Sequence, residues 1–353
     1  MLTFVVMPCL DEAALIADTT ASLGFSSGET PADTHLIVVD NGSTDGTRDI
    51  LERIRRESPT PVHIFAELER GYVPPRRKGV AAAEALARTA GADPSSVLIL
   101  QADADTTYKR GYISAMRAAA AGQTGILLEG STRAPPDFEE AHPTYVAAER
   151  LVDEATEPLD AADKDEVVVD DKVCGYRLSD YLVWGGLFDE VTPSGDYVHA
   201  ETTRMFIRAK LRHGARKVRV NPAGAASSRR KVTEDPWLHY ATAGFPREAT
   251  WVRGSTRDES RGRRVVDIDD FAGRVLQAKE PDAVYFRRAH QLALFRYVPA
   301  LIASVAAGST TSELPDDVAA VLAALPCRSR DDLAQGPGLG LVEVANRATI
   351  VAT

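Results

Sequence analysis

Cysteine, positive charge and uninterrupted apolar sequence are all scarce in this 353-residue chain. Its three cysteines, Cys9, Cys174 and Cys327, are odd in number, far apart and without paired metal-ligand spacing. That pattern points to a reducing, cytoplasmic setting. The 41 basic residues are outnumbered by 51 acidic ones, and a formal charge of -10 argues against a general nucleic-acid binder, whose footprint would be basic. A nucleotide held by a few arginines is still compatible. The longest late apolar stretch, residues 298–307, is interrupted by Pro299 and Ser304 and falls well short of the ~20 residues of a membrane helix, so membrane contact would be peripheral at most. The N-terminus enters a strand pattern at once, and no secretory signal is expected.

What is present is an alternation of short apolar runs and helical stretches. Residues 2–7, 36–39, 62–65, 97–100 and 125–129 read as strands. Helical spacing begins at Asp11-Glu12, at Asp45 (stopped by Pro59 and Pro61), and over residues 77–90, 109–121 and 201–212. Such alternation predicts an α/β fold with a mostly parallel sheet and helices on both faces, in which ligands bind beyond the carboxyl ends of the strands. Residues 151–171 are acidic with Lys164 as their only positive charge, and read as a mobile or inserted segment. After about Ser228 the alternation gives way to helices expected over 267–278, 283–307 and 315–325. Gly336-Pro337-Gly338-Leu339-Gly340 is a loop signal, too late and without the preceding strand of a dinucleotide fingerprint.

Asp103 and Asp105 follow the apolar run Val97-Leu98-Ile99-Leu100, so two carboxylates stand where a buried strand emerges. Alone, the pair reads as readily as a solvated turn. A second strand, Leu36-Ile37-Val38-Val39, runs into Asp40-Asn41-Gly42-Ser43-Thr44-Asp45-Gly46-Thr47, so both acidic ends share one sheet edge in a parallel arrangement. Magnesium and manganese prefer hard oxygen ligands, typically one or two carboxylates plus substrate phosphates. The pattern therefore suits a divalent cation holding a diphosphate.

In order along the chain, VVMPCLDE (residues 5–12), VVDNGSTDGT (38–47), GYVPPRRKG (71–79), QADAD (101–105), the GGLFDE turn (185–190) and the helix from Glu201 through Arg208 to Gly214 resemble the inverting family 2 glycosyltransferases. The resemblance implies a Rossmann-like GT-A nucleotide-sugar-binding domain over residues 1–230, followed by a helical C-terminal extension over 231–353. It also implies a hexosyl transfer, dependent on Mn2+ or Mg2+, from a UDP- or GDP-linked sugar to an acceptor hydroxyl. By resemblance, Glu12 and Asp40 sit by the base and ribose, within a donor-binding set that takes in Pro8, Asn41, Gln101 and Ala104. Arg76 falls on the family's arginine before the second helix, flanked here by Pro75 and Arg77 where alanine and asparagine are usual. Arg229 and Arg230 resemble the basic segment that closes over the diphosphate. Asp105 is the implied principal metal ligand, with Asp103 bonding the ribose or a metal-bound water.

In the family a glutamate–aspartate pair usually opens the late helix and its second acid is the base. This register puts Glu201 on the first acid and Thr202 on the second. Glu201 is the best replacement, favoured as a carboxylate by the helix N-terminus, with Asp196 and His199 as alternatives upstream. Two rivals follow from Thr202: a retaining GT-A transferase or sugar nucleotidyltransferase with similar strand-end acids, and a non-catalytic nucleotide-binding or scaffold homologue. The helix over 283–307 carries Tyr285, Phe286, Leu292, Leu294, Phe295 and Tyr297. Packing against the catalytic domain is its first expected use, a homodimer contact the second and a membrane surface the third.

Overall fold

The computed structural model describes residues 1–160, 166–191, 197–245, 252 and 267–306. Its sheet is built from β1 (Leu2–Cys9), β2 (Thr34–Asp40), β3 (Val62–Ala66), β4 (Val97–Gln101), β5 (Thr106–Tyr108), β6 (Ile126–Arg133), β7 (Cys174–Arg177) and β8 (Arg216–Ser227). The spatial order is β3-β2-β1-β4-β7-β6-β8-β5. The first four neighbours run parallel. Beyond them β7 is antiparallel to both β4 and β6, β8 returns parallel to β6, and β5 closes the edge antiparallel to β8.

The parallel strands are buried on both faces, as their continuous apolar runs require. Val5, Met7, Leu36, Val38, Leu98 and Leu100 point to one layer, where α1 (Ile16–Ser22), α2 (Thr47–Glu57) and α4 (Tyr112–Ala120) contribute Ile16, Leu51, Ile113 and Met116. Phe4, Val6, Ile37, Val39 and Ile99 point to the other, covered by α3 (Val73–Thr89), α7 (Leu178–Val183) and α8 (Glu201–His213) through Val80, Ala83, Tyr181, Met205 and Phe206. The α/β architecture with helices on both faces is the one expected, with an antiparallel half added to the parallel one.

Several boundaries differ from expectation for local reasons. Helix α1 starts at Ile16 and not at Asp11, because the N–H groups of Asp11, Glu12 and Ala13 are taken by the Ser43, Thr47 and Asp45 side chains, and the first turn bond is from Leu15 N–H to Glu12 O at 3.1 Å. Helix α3 begins at Val73, ahead of Arg77, because Pro74 and Pro75 fall in its first turn, where the missing N–H groups have no intrahelical partner to lose.

The chain divides into two compact units, Met1–Arg133 with Val169–Ser228 and Ala134–Val168 with Arg229–Thr353. In the second, α5 (Pro136–Ala141) and α6 (Pro143–Asp160) join a core of Phe138, Tyr145, Val152, Tyr240, Phe271 and Val275. Residues 151–160 are helical, and of the mobile or inserted segment expected there the second holds, since Ala134–Val168 interrupts the sequence of the first unit. The excess acid there is matched locally: Arg287 donates to Asp153 at 2.9 Å and lies 4.9 Å over the Tyr240 ring. The late helix is interrupted, running Pro281–Leu292, then a π-type turn at Ala293–Tyr297, then Val298–Ala306. The break precedes Pro299, which has no N–H for the i−4 carbonyl. Residues 315–325, Cys327 and the Gly336–Gly340 loop signal lie outside the described residues. Among the described residues no helix is long and apolar enough to cross a membrane.

Candidate functional site

The loops at the carboxyl ends of β1 and β2 are stitched into one surface. Asp11 N–H donates to Ser43 Oγ at 2.9 Å, Glu12 N–H to Thr47 Oγ1 at 2.8 Å and Ala13 N–H to Asp45 Oδ2 at 3.0 Å. Thr44 N–H returns a bond to Asp11 Oδ1 at 2.6 Å, with Asp11 at φ 55°. The Thr47 hydroxyl, and after it the Ala13 N–H, hold the Asp45 carboxyl below its usual range. Asp40, 4% exposed, accepts from Ser43 N–H at 2.9 Å, and Arg48 lies 3.6 Å away. Cys9 is opposite Asp40 in the sheet, and burial first, then the nearby Asp40, Glu12 and Asp45, push its thiol up.

The other residues expected near the donor divide sharply. Pro8, half-buried, lies opposite Val39 in the sheet. Asn41 spends its amide on the neighbouring loop, donating to Glu67 O at 2.9 Å and Glu69 O at 2.8 Å and accepting from Gly71 N–H at 3.3 Å. Gln101 is fully buried: its Oε1 accepts from Arg76 at 3.1 Å and its Nε2 donates to the Tyr176 hydroxyl at 2.6 Å. Ala104 is buried, and its carbonyl accepts from Thr19 Oγ1 at 2.9 Å.

Arg76 is the centre of the acidic edge. At 5% exposed it donates to Asp103 Oδ1 at 2.6 Å, and its Nε lies 3.2 Å from Glu201 Oε1. Burial works against its charge, but Asp103, Asp171 and Glu201 outweigh that and push its pKa up. Asp103 is half-buried, and its N–H donates to the Tyr108 hydroxyl at 3.0 Å, which in turn donates to Lys172 O at 2.8 Å. Asp105, half-buried, accepts from Ser228 N–H through its carbonyl at 3.0 Å.

Glu201 opens α8 and is 2% exposed; the neighbouring Thr202 is fully buried, with no hydrogen-bond partner for its hydroxyl among the described residues. Position 202 is therefore turned into the protein. The Gly185–Glu190 turn is bound to the same helix: Glu190 lies 3.0 Å from Arg204 and 2.5 Å from Arg208, and Arg208 sits 4.1 Å over the Phe188 ring. His199 is exposed, its ring edge-on to Tyr72 at 5.8 Å between centroids. Asp196 lies outside the described residues. Arg229 and Arg230 belong to the second unit, where Arg229 pairs with Glu149 at 3.2 Å.

Two contributors escape a reading of the sequence. Asp171 and Lys172 lie beside Arg76 and Asp103: burial opposes the Lys172 charge, and Asp170, Asp103 and Asp171 sustain it, with Asp170 at 2.6 Å. The signal for them is Val167-Val168-Val169, three buried β-branched residues immediately before Asp170 and Asp171. Asp103 and Asp105 offer hard carboxylate oxygens, the one or two that a divalent cation takes when substrate phosphates supply the rest, and among the described residues no group of three or more potential ligand side chains is present. Arg76 and Lys172 are the cations set among Asp103, Asp170, Asp171 and Glu201, which leaves negative charge in excess.

Residues 4–146 match the model of a family described as glycosyl transferase family 2. A curated relative, the succinoglycan biosynthesis protein ExoA of Rhizobium meliloti (strain 1021), is 30% identical over 142 residues. That match takes in 39% of this chain and 39% of the relative's length. Among solved structures, the mannosyltransferase PcManGT from Pyrobaculum calidifontis, in complex with GDP-Man and Mn2+, is 18% identical with a TM-score of 0.47, covering 99% of this chain and 86% of that one. S. aureus TarS 1–349 is 13% identical with a TM-score of 0.44, covering 91% and 90%.

Proposed function

We propose that this chain, whose residues 4–146 match the family 2 glycosyltransferase model, moves a sugar from a UDP- or GDP-linked donor to an acceptor hydroxyl with inversion. The observation that carries the reading is the acidic strand edge: Asp103 and Asp105 stand beyond β4 in the sheet whose β2 ends on Asp40, and Arg76 links Asp103 to Glu201. Asp40 and Glu12 accept hydrogen bonds from the base and ribose, as carboxylates can. Asp105, with Asp103, would hold Mn2+ or Mg2+, which when bound neutralises the diphosphate as it leaves. In a single displacement the acceptor oxygen bonds the anomeric carbon, the bond to the diphosphate oxygen breaks, and a carboxylate takes the acceptor proton. Glu201 is that carboxylate in the first reading, since it opens α8 and lies 3.2 Å from Arg76 Nε at this edge.

One observation favours a second assignment of the proton acceptor. Glu201 is 2% exposed and held by Arg76, which suits a supporting acid. His199, exposed two positions upstream, or Asp196 then takes the proton. The two free cysteines described, Cys9 and Cys174, are buried thiols suited to a reducing cytoplasm.

The test is a thermal-shift panel of UDP, GDP, CDP and dTDP with and without manganese, followed by NMR of the first-formed product. Metal-dependent stabilisation by one diphosphate names the donor class, because a ligand that binds the folded state raises its stability. An inverted anomer supports single displacement; a retained one sinks it, and stabilisation by none of the four overturns the donor assignment.

A further inference from the structure

We infer that Arg76 is a positioning residue that couples Asp103 to Glu201, and that it does not bind the donor's diphosphate. The inference rests on the proposed transfer for the meaning of the two acids, and on geometry for the coupling. Three nitrogens of the guanidinium face three different groups: one donates to Gln101 at 3.1 Å, one donates to Asp103 at 2.6 Å, and Nε lies 3.2 Å from Glu201 as an ion pair without a hydrogen bond. The planar, forked guanidinium can span such a set, whereas an ammonium on a flexible stem cannot hold all three in fixed directions.

The surroundings keep the fork in place. Gln101 is fully buried and anchored by Tyr176, which is itself 1% exposed and stacked on Tyr181 at 5.5 Å between centroids. Turning Arg76 toward a phosphate would strip Glu201, at 2% exposed, of its cation and leave a buried carboxylate uncompensated. Held as it is, Arg76 sets where Asp103 stands relative to the N-terminus of α8. A disturbance of the arginine therefore displaces the donor-side acid and the helix-side acid together, and turnover suffers while the nucleotide still binds.

The experiment compares wild type, Arg76→Lys, Gln101→Leu, Glu201→Gln and the Arg76→Lys/Glu201→Gln double variant. Calorimetric Kd for the nucleoside diphosphate without manganese, where the cation that Asp103 helps to hold does not enter, should stay unchanged in Arg76→Lys and Gln101→Leu, while kcat at saturating donor and manganese falls by ~10–100-fold, the usual cost of losing a supporting residue. The double variant should lose no more activity than the worse single one, since coupled residues are non-additive. A rise of about tenfold in Kd with kcat retained would make Arg76 a phosphate ligand and overturn the inference. Denaturant unfolding of the same variants reads the coupling without any substrate: additive losses of stability overturn it too, even if wild type binds no nucleotide. In that last case the failure lies with the proposed function, because wild type alone reveals it.

Discussion

Arg76 and Glu201 meet at 3.2 Å although one lies in the first turn of α3 and the other opens α8. Both helices cover the same face of the sheet. Their N-terminal turns converge where β4 ends, so the favourable field of the α8 N-terminus and the buried guanidinium act on one carboxylate. Through Arg76 the same contact reaches Asp103. The strand-end acids and the late-helix acid thus form one electrostatic assembly, and replacements in it should show whether they work as one.

Asp105→Ala is expected to abolish manganese-dependent thermal stabilisation by the nucleoside diphosphate and to lower turnover by ~100-fold, the scale of losing one electrostatic contributor to a transition state. Asp105 is half-buried and its described backbone bond, to Ser228, survives the change. The unfolding temperature without ligand should therefore barely move. A variant that keeps both metal-dependent binding and turnover would remove Asp105 from the site.

Glu190→Ala should destabilise the first unit by about 3–5 kcal/mol, because it leaves buried cations without their counter-charge. Glu190 is 9% exposed and serves Arg204 at 3.0 Å and Arg208 at 2.5 Å. Burial already holds Arg208 down to about 10, with Glu190 opposing the loss of charge. Chemical denaturation checks the magnitude. A loss under about 1 kcal/mol would mean that the pair behaves like an exposed one.

The parallel half of the sheet and the two strand-end acids were legible because their signals are local: a continuous apolar run followed at once by Asp. What Arg76 does was not. Its partners Gln101, Asp103 and Glu201 come from other elements, and the helix was expected from Arg77, whereas Pro74 and Pro75 already fall in the first turn of α3. The antiparallel half was hidden for a different reason. β7 is four residues long, and β8 mixes exposed and buried positions without the strict alternation that marks a half-buried strand. Asn41 and Gln101 show a third limit, since polar residues beside a site look alike in sequence whether they face a ligand or, as both do here, hold protein groups.

Gly79→Ala tests how closely α3 must lie on the sheet. A Cβ at this position would overlap Val6 Cγ1 and come within 3.3 Å of Val39 Cγ2, both buried strand side chains with no room to retreat. Overpacking costs about 1–3 kcal/mol, against ~1 kcal/mol gained from the better helix propensity of alanine. A net loss of stability is expected, with a fall in kcat because Arg76 lies one turn away on the same helix. Stability equal to or above wild type would show that α3 shifts freely.

Acid should destabilise the second unit before its carboxylates begin to titrate. His290 is fully buried and donates Nδ1–H to Phe286 O at 2.8 Å, and burial holds its pKa down to about 4. His239 is held down to about 3 by burial, then by Arg229, Arg287 and Lys231. Both values lie below the ordinary 6.5, so between those limits the unfolded chain binds protons that the folded unit refuses. Stability is then fully present above about pH 6.5 and lost as pH falls toward 4 and 3, by up to ~1.4 kcal/mol per pH unit for each group. Unfolding temperatures measured between about pH 7.5 and 5.5, above the usual carboxylate range, should fall with acidification. His239→Gln and His290→Gln together should flatten that slope whatever they do to stability at pH 7.5, because the variant has no imidazole at either position to protonate on unfolding. An unchanged slope in the double variant would rule out these two histidines as its source.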